Sequence, residues 1–233
     1  MNHQWNELQQ VGTDYNDLAE IANYDARMAT CRDVDGENKA LLATLNLPEK
    51  ASVLEIGCGT GRFALAALDA GLRVTTVDIS AKMLEYVQQK ATEKGHPLAA
   101  TQHAGFLTMD FPAATFDAVV SSFALHHLPD VWKQVALERV HSVLAPAGQF
   151  LLQDVVFSTD ADRRPHEAFE DFLSGFPDAM RPEVSRHIAT EYSTFAWIME
   201  GLLTRSGFNL LSSTYQEKSV AIYHCQKSGV AER

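Results

Sequence analysis

The sequence is short of basic residues and of cysteine. Its 19 Lys and Arg stand against 30 Asp and Glu, which gives a formal net charge of -11. No basic cluster occurs, and phosphates are held mainly by Lys and Arg, so neither a nucleic-acid partner nor an anionic membrane is expected. Cys31, Cys58 and Cys225 lie far apart and form no CxxC pair, which indicates neither a disulfide framework nor a zinc cluster.

Long apolar runs are also missing. No segment reaches the roughly 20 apolar residues of a membrane span, and MNHQWNELQQ at the start lacks the basic and apolar parts of a secretory signal. We therefore expect a cytoplasmic protein without a membrane partner. What is present, 46% hydrophobic and 21% charged residues without repeats, is typical of a soluble globular chain, and 233 residues suffice for one α/β domain with a modest addition.

From Ala51 onward, apolar runs alternate with amphipathic segments. Such alternation predicts a parallel sheet covered by helices on both faces, with Ser80 as a helix N-cap. A turn is predicted at 145–148 and a closing hairpin at 208–226. Strands are predicted at 52–56, 73–78, 98–103, 117–123, 149–156, 208–215 and 219–226, with helices at 61–70, 80–94, 129–144 and 194–205.

The sequence divides into a helical N-terminal cap over 1–50 and a main domain over 51–233. Within the main domain, residues 157–194 carry several charges, three prolines and the aromatic residues Phe169, Phe172 and Phe176 without a clear strand pattern. We interpret this stretch as an inserted helical lid.

A strand that runs into a glycine-rich loop is the most informative segment. Residues 53–63, VLEIGCGTGRF, place Gly57, Gly59 and Gly61 between a predicted strand and a predicted helix. Glycines allow a sharp turn and let a ligand approach the N–H groups at the helix N-terminus. A tight turn without any ligand would use the same residues, so this pattern alone leaves both interpretations open.

Asp78 ends the second predicted strand. There its carboxylate can accept hydrogen bonds from both ribose hydroxyls of an adenosine. Helix capping is the alternative role, but Ser80 is the better cap and leaves Asp78 free. NAD is disfavoured, because the dinucleotide fingerprint GxGxxG requires glycine where this chain has Arg62.

Four segments together resemble the successive motifs of class I S-adenosylmethionine-dependent methyltransferases: VLEIGCGTGRF, VTTVDIS, FDAVVSSFALHHL and LAPAGQFLL. The resemblance spans about residues 51–156. It implies a Rossmann-like, seven-stranded, mostly parallel sheet with a reversed last strand, methyltransferase activity, and S-adenosyl-L-methionine as the cofactor.

The same resemblance implies the cofactor-binding residues. One departure is Gly105, where many relatives carry an acidic residue that contacts the adenine amino group, so a backbone contact near Phe106 is expected instead. Ser121 and Phe123 would border the transferred methyl group. The implied set is Glu55, Gly57, Cys58, Gly59, Gly61, Asp78, Ile79, Met83, Gly105, Phe106, Ser121 and Phe123.

Several acceptor classes lack their motifs. The fourth strand ends in SSFA and lacks the Asn/Asp-Pro-Pro-aromatic motif by which relatives hold exocyclic or amide nitrogens. The Pro-Cys pair typical of cytosine C5 methylation is missing, and so is the paired-glutamate loop typical of arginine methyltransferases. Asp154 is followed by Val155 and not by a second oxygen ligand, so no metal is predicted. A small-molecule acceptor with a nitrogen, oxygen or sulfur nucleophile is expected. A protein side chain as acceptor, a non-catalytic cofactor sensor and the oligomeric state stay open.

Methyl transfer from a sulfonium can rely largely on alignment and desolvation. Where the acceptor must lose a proton, His126 and His127 are the first candidates, with Asp154 at the end of the fifth strand, although two histidines can equally cap or pack a turn. Candidates for the substrate pocket, for which ordinary helix packing is the alternative, are Tyr15, Tyr24, Arg27, Tyr192 and Trp197.

Overall fold

A twisted sheet with crossover helices on both faces organises the chain. The computed structural model describes residues 3–9, 25–26, 28–30, 32–158, 164–216 and 219–229, and Tyr15, Tyr24 and Arg27 lie outside them. Within these residues the strands are β1 (Ser52–Ile56), β2 (Arg73–Asp78), β3 (Ala100–His103), β4 (Phe116–Ser122), β5 (Leu144–Phe157), β6 (Thr194–Phe195), β7 (Phe208–Gln216) and β8 (Val220–Lys227).

Seven strands follow the order β3-β2-β1-β4-β5-β8-β7, and the short β6 pairs with β5 outside that order. The neighbours from β3 to β5 are parallel, whereas β8 is antiparallel to both β5 and β7. The expected α/β class and the reversed last strand are therefore confirmed.

Helices cover the two faces of this sheet and bury two separate apolar clusters. Leu54 belongs to one cluster and Val53 to the other, because successive side chains of a strand point to opposite faces. The helices are α1 (Val34–Leu45), α2 (Arg62–Asp69), α3 (Ala81–Glu93), α4 (Asp130–Val143), α5 (Pro165–Ser174), α6 (Arg181–Thr190) and α7 (Ala196–Arg205), with a 3-10 turn at Leu125–His127.

Local chemistry explains where several elements begin. The Ser80 hydroxyl accepts a hydrogen bond from the backbone N–H of Met83 at 3.2 Å, so the predicted N-cap of α3 is present. The turn predicted at 145–148 is instead a bulge inside β5: Leu144 pairs with Phe116 and Gln149 with Ala118, and the residues between them fall out of register. The extra backbone is absorbed there without ending the strand.

The segment from 157 to 194 contains α5 and α6 and meets the sheet again at β6. The predicted helix start at Thr194 is wrong by two residues, because Thr194–Phe195 pairs with β5 before α7 begins. The N-terminal cap and the lid remain predictions about domain organisation. In the described part of the chain, every helix is too short or too polar to cross a membrane.

Candidate active site

A cavity of about 510 Å³ opens at the carboxyl ends of β1, β2 and β4. The sheet order reverses between β1 and β4, and parallel sheets bind ligands in the crevice at such a switch point. Of the predicted cofactor-binding residues, all but Gly61 and Ser121 line this cavity: Glu55, Gly57, Cys58, Gly59, Asp78, Ile79, Met83, Gly105, Phe106 and Phe123.

The glycines of the loop are required for different structural reasons, as Gly61 and Gly59 show. All three have positive φ angles, of 75° at Gly57, 50° at Gly59 and 77° at Gly61. A Cβ on Gly61 would lie 1.9 Å from Cγ2 of Val87 in α3, whereas a Cβ on Gly59 would meet no described atom within 4 Å. Gly61 thus allows α2 and α3 to pack closely, and Gly59 is the glycine that leaves space in the cavity.

Ser121 also lies in the packed interior and does not line the cavity. It is fully buried, and its hydroxyl donates to the carbonyl of Ile56 at 2.9 Å. Its neighbour Ser122 lines the cavity instead, because the two side chains leave the strand on opposite faces.

Asp78 is not left free by the Ser80 cap, contrary to the sequence interpretation. Its two carboxylate oxygens accept hydrogen bonds from the backbone N–H groups of Gly59 at 2.9 Å and of Ser80 at 2.8 Å. Burial raises the pKa of this carboxyl in spite of those bonds. Each oxygen retains a second lone pair, so Asp78 both holds the glycine loop and can accept hydrogen bonds from a ligand.

Three buried polar atoms that line the cavity have no hydrogen-bond partner among the described residues: Asn38 Nδ2, Glu55 Oε2 and Ser122 Oγ. Burial, reinforced by the nearby Asp78, raises the pKa of Glu55 well above its ordinary value. A buried polar group without a partner is costly, so these atoms indicate a polar ligand. Together with the apolar Ile79 and Met83, they provide donors, acceptors and a hydrophobic wall that fit S-adenosylmethionine.

Gly105 makes room for a carboxylate from the N-terminal segment. A Cβ at this position would lie 2.4 Å from Oε2 of Glu7, whose carboxylate accepts hydrogen bonds from the Leu107 N–H at 2.9 Å and from the Thr108 hydroxyl at 2.7 Å. Glu7 lines the cavity and is 8% exposed. No local sequence pattern predicts this contact, because Glu7 and Leu107 are 100 residues apart in the chain.

Two predicted pocket residues lie elsewhere. Trp197, on α7, is 58% exposed and does not reach the cavity. The ring of Tyr192 packs edge-on against Trp5, with the ring centroids 5.6 Å apart, and is also not among the cavity-lining residues. Asn38 was not predicted, although it precedes Leu41 and Leu45, the other buried residues of α1, at helical spacing.

The predicted catalytic residues form one cluster, but only His127 reaches the cavity. His126 Nδ1 lies 2.5 Å from Asp154 Oδ1, and the His126 backbone N–H donates to Asp154 Oδ2 at 3.0 Å. Asp154 is fully buried within β5 and does not line the cavity, so it fixes His126 and cannot itself contact a substrate there.

The surroundings of the two histidines shift their pKa values in opposite directions. Burial opposes the charged form of His126, but Asp154 and Glu191 outweigh that cost and raise its pKa to about 10. Burial, together with the charge of His126, lowers the pKa of His127 to about 4. Near neutral pH, His126 is therefore an imidazolium and His127 a neutral imidazole, which can accept a proton.

One group of ligand atoms in the described residues is compact enough to share a metal ion, that of His126, His127 and Glu191, whose ligand atoms lie within 4.8 Å of one another. Both ring nitrogens of His126 already face carboxylates, Asp154 at 2.5 Å and Glu191 at 3.1 Å. Both ring nitrogens are thus engaged by hydrogen bonds within the described residues.

A mostly parallel sheet of this order, with a cavity at its switch point, is a Rossmann-like fold of the kind that binds nucleotides. The model of a methyltransferase domain family matches residues 53–148, from β1 to the bulge in β5. Over these residues the chain is similar to methyltransferase domains, and the S-adenosylmethionine that its motifs imply is bound in a solved protein of the same fold.

Known proteins agree with this assignment. An uncharacterized methyltransferase of Geobacillus kaustophilus is 28% identical over 189 residues, which cover 81% of this chain and 82% of that protein. Magnesium protoporphyrin IX methyltransferase from Synechocystis PCC 6803, solved with S-adenosylmethionine, has a TM-score of 0.64 at 19% identity, with 98% of this chain and 100% of that chain covered. A Burkholderia thailandensis 1,6-didemethyltoxoflavin-N1-methyltransferase gives 0.62 at 19%, covering 95% and 93%. The two structures share the fold.

Proposed function

We propose that this enzyme methylates a nitrogen, oxygen or sulfur atom of a small-molecule acceptor that binds beside His127. The observation that carries this proposal is the contribution of the N-terminal segment to the cavity. Asp25, Met28 and Arg32 of that segment line the cavity together with the strand ends. A cavity lined by two separate parts of the chain suits a metabolite better than a side chain on a folded protein.

The chain's own residues would hold the cofactor at the strand ends. Asn38 Nδ2, Glu55 Oε2 and Ser122 Oγ supply hydrogen bonds to its polar groups, while the Asp78 carboxylate accepts from the ribose. When bound, the cofactor supplies a methyl group made electrophilic by a sulfonium. The buried carboxyl of Glu55 and the carboxylate of Asp78 favour this positive charge at the site.

His127 would then bind and orient the acceptor. It is the histidine of the pair that lines the cavity, as does Phe123, which follows β4. Its neutral imidazole accepts a hydrogen bond from an acceptor N–H or O–H and orients the lone pair toward the methyl carbon. His126 already carries a proton and cannot do this. The N-terminal cap and the lid at 157–194 would exclude water during transfer.

Titration calorimetry with S-adenosylmethionine and S-adenosylhomocysteine tests the cofactor site. Glu55→Gln, which keeps the shape but replaces the ionisable carboxyl with an amide, should weaken binding by about tenfold or more, or about 1.4 kcal/mol. Glu85→Gln is the matched control, because this glutamate is exposed on α3, with 65% of its side chain accessible. Wild-type affinity in Glu55→Gln would contradict the proposed placement of the cofactor.

An acceptor screen that detects S-adenosylhomocysteine release tests the reaction. We expect turnover of a small molecule that falls in His127→Asn while cofactor affinity is kept. Methylation of proteins alone, or cofactor binding without turnover of any acceptor, would count against a small-molecule acceptor and favour a protein substrate or a sensor.

A further inference from the structure

Glu191, which does not line the cavity, lies behind the histidine pair. It follows α6 directly, and its side chain is 5% exposed. Its Oε2 lies 3.1 Å from His126 Nε2, and its Oε1 lies 3.8 Å from His127 Nδ1. The same Oε1 is hydrogen-bonded to Nδ1 of His187 in α6. One carboxylate therefore contacts three histidines.

The backbone beside Glu191 is fixed to the same place. The N–H of Tyr192 donates to the carbonyl of His126 at 2.8 Å, and Nζ of the fully buried Lys133 is hydrogen-bonded to the Tyr192 carbonyl. The chain after α6 is thus tied to the 3-10 turn that carries the histidines and to α4. The carboxylate is held in place by its own main chain and not by side-chain packing alone.

We propose that Glu191 is a positioning residue for methyl transfer: it holds the histidine pair and supplies the counter-charge when His127 takes the acceptor's proton. This inference rests on the proposed function. In the step, the acceptor's lone pair bonds to the methyl carbon, the carbon–sulfur bonding pair stays on sulfur, and the acceptor's proton passes to His127. The positive charge that leaves sulfur ends on an imidazolium, next to a carboxylate that was already in place.

The groups around the pair decide whether Glu191 can play this part. Asp154 faces His126 from β5, while His187 and Glu183 lie behind Glu191 on α6. Burial opposes ionisation of Glu191, but its hydrogen bonds with His126 and His187 lower its pKa to about 2. The carboxylate is therefore charged at any working pH. Asp154 already balances His126, so the charge of Glu191 can stabilise a second imidazolium.

Histidine ring titration by NMR tests this without any acceptor. In protein labelled at histidine 13Cε1 and saturated with S-adenosylhomocysteine, Glu191→Gln should lower the pKa of both His126 and His127, by about one unit or more for His126. Glu183→Gln, on the far side of His187, is the matched control and should leave both curves in place. Glu191→Asp, a second variant, keeps the charge at a longer distance and should give a smaller shift in the same direction.

Unchanged titration of the pair in a folded Glu191→Gln protein would overturn the inference and leave Glu191 a structural residue. Binding of one Co²⁺ with a visible absorption band that Glu191→Gln abolishes would also overturn it, because the cluster would then be a metal site. If S-adenosylhomocysteine fails to bind the wild type, the proposed function fails instead. With an acceptor in hand, Glu191→Gln should reduce kcat and leave KM unchanged.

Discussion

Alanine substitutions at Gly61 and Gly59 should separate folding from cofactor binding within one loop. In Gly61→Ala, a side chain at φ 77° costs about 1–2 kcal/mol in the left-handed region. The new Cβ would also lie 1.9 Å from Val87, a fully buried residue of α3, and overpacking of this kind costs about 1–3 kcal/mol more. We expect a total loss of about 2–5 kcal/mol in the free energy of unfolding.

In Gly59→Ala, only the left-handed backbone conformation should lower the free energy of unfolding. Its φ of 50° is again left-handed, but no described atom lies within 4 Å of the added Cβ, so we expect a loss of about 1–2 kcal/mol. The methyl group instead takes up space in the cavity that Gly59 lines, and affinity for S-adenosylhomocysteine should fall by about tenfold or more.

Urea unfolding and calorimetry on the same two preparations measure both quantities. The reasoning is refuted if Gly61→Ala loses less stability than Gly59→Ala. It is also refuted if Gly59→Ala binds S-adenosylhomocysteine as tightly as the wild type does. Either result would mean that glycine is required at these positions for its backbone conformation and not for the space that a side chain would fill.

Two further predictions concern stability. The pKa of His126 is near 6.5 in an unfolded chain and about 10 in the fold, so the folded protein keeps a proton that the unfolded chain releases as the pH rises. The free energy of unfolding should therefore decrease as the pH rises from about 6.5 to about 10. Urea unfolding at several pH values should show a smaller decrease for His126→Gln. Glu7→Ala leaves the N–H of Leu107 without its acceptor and should cost about 1–3 kcal/mol, whereas Glu7→Gln, which keeps one accepting oxygen, should cost less; equal losses in both variants would show that the charge, and not the hydrogen bond, holds the segment.

Periodicity was enough to predict the sheet and seven of its eight described strands, but not β6. Ser80, predicted as a cap from its residue type alone, caps α3, because the helix signal is local. The bulge at 145–148 was predicted as a turn, since Pro146 and Gly148 interrupt the alternation equally in both cases. Only the pairing of Leu144 with Phe116 shows that the strand continues across it, and pairing is a long-range property.

The candidate site was predictable where the chain approaches it through the motifs, and not where distant segments meet. Glu55 and Asp78 end adjacent strands, so their place at the cavity follows from the topology. Ser121 and Ser122 cannot be told apart in this way, because the facing residue depends on the phase of the strand. Glu7 joins the site across 100 residues and left no pattern in the sequence.

The order of the sheet also has a consequence during synthesis. β8 is the last of the described strands along the chain, but it lies between β5 and β7 and hydrogen-bonds to both. Until residues 220–227 have emerged from the ribosome, β5 has one open edge and β7 has no partner. A nascent chain stalled before residue 220 would expose both, and unpaired strand edges are sites of aggregation. Premature termination near this point should therefore yield insoluble protein even though every motif of the site is already present.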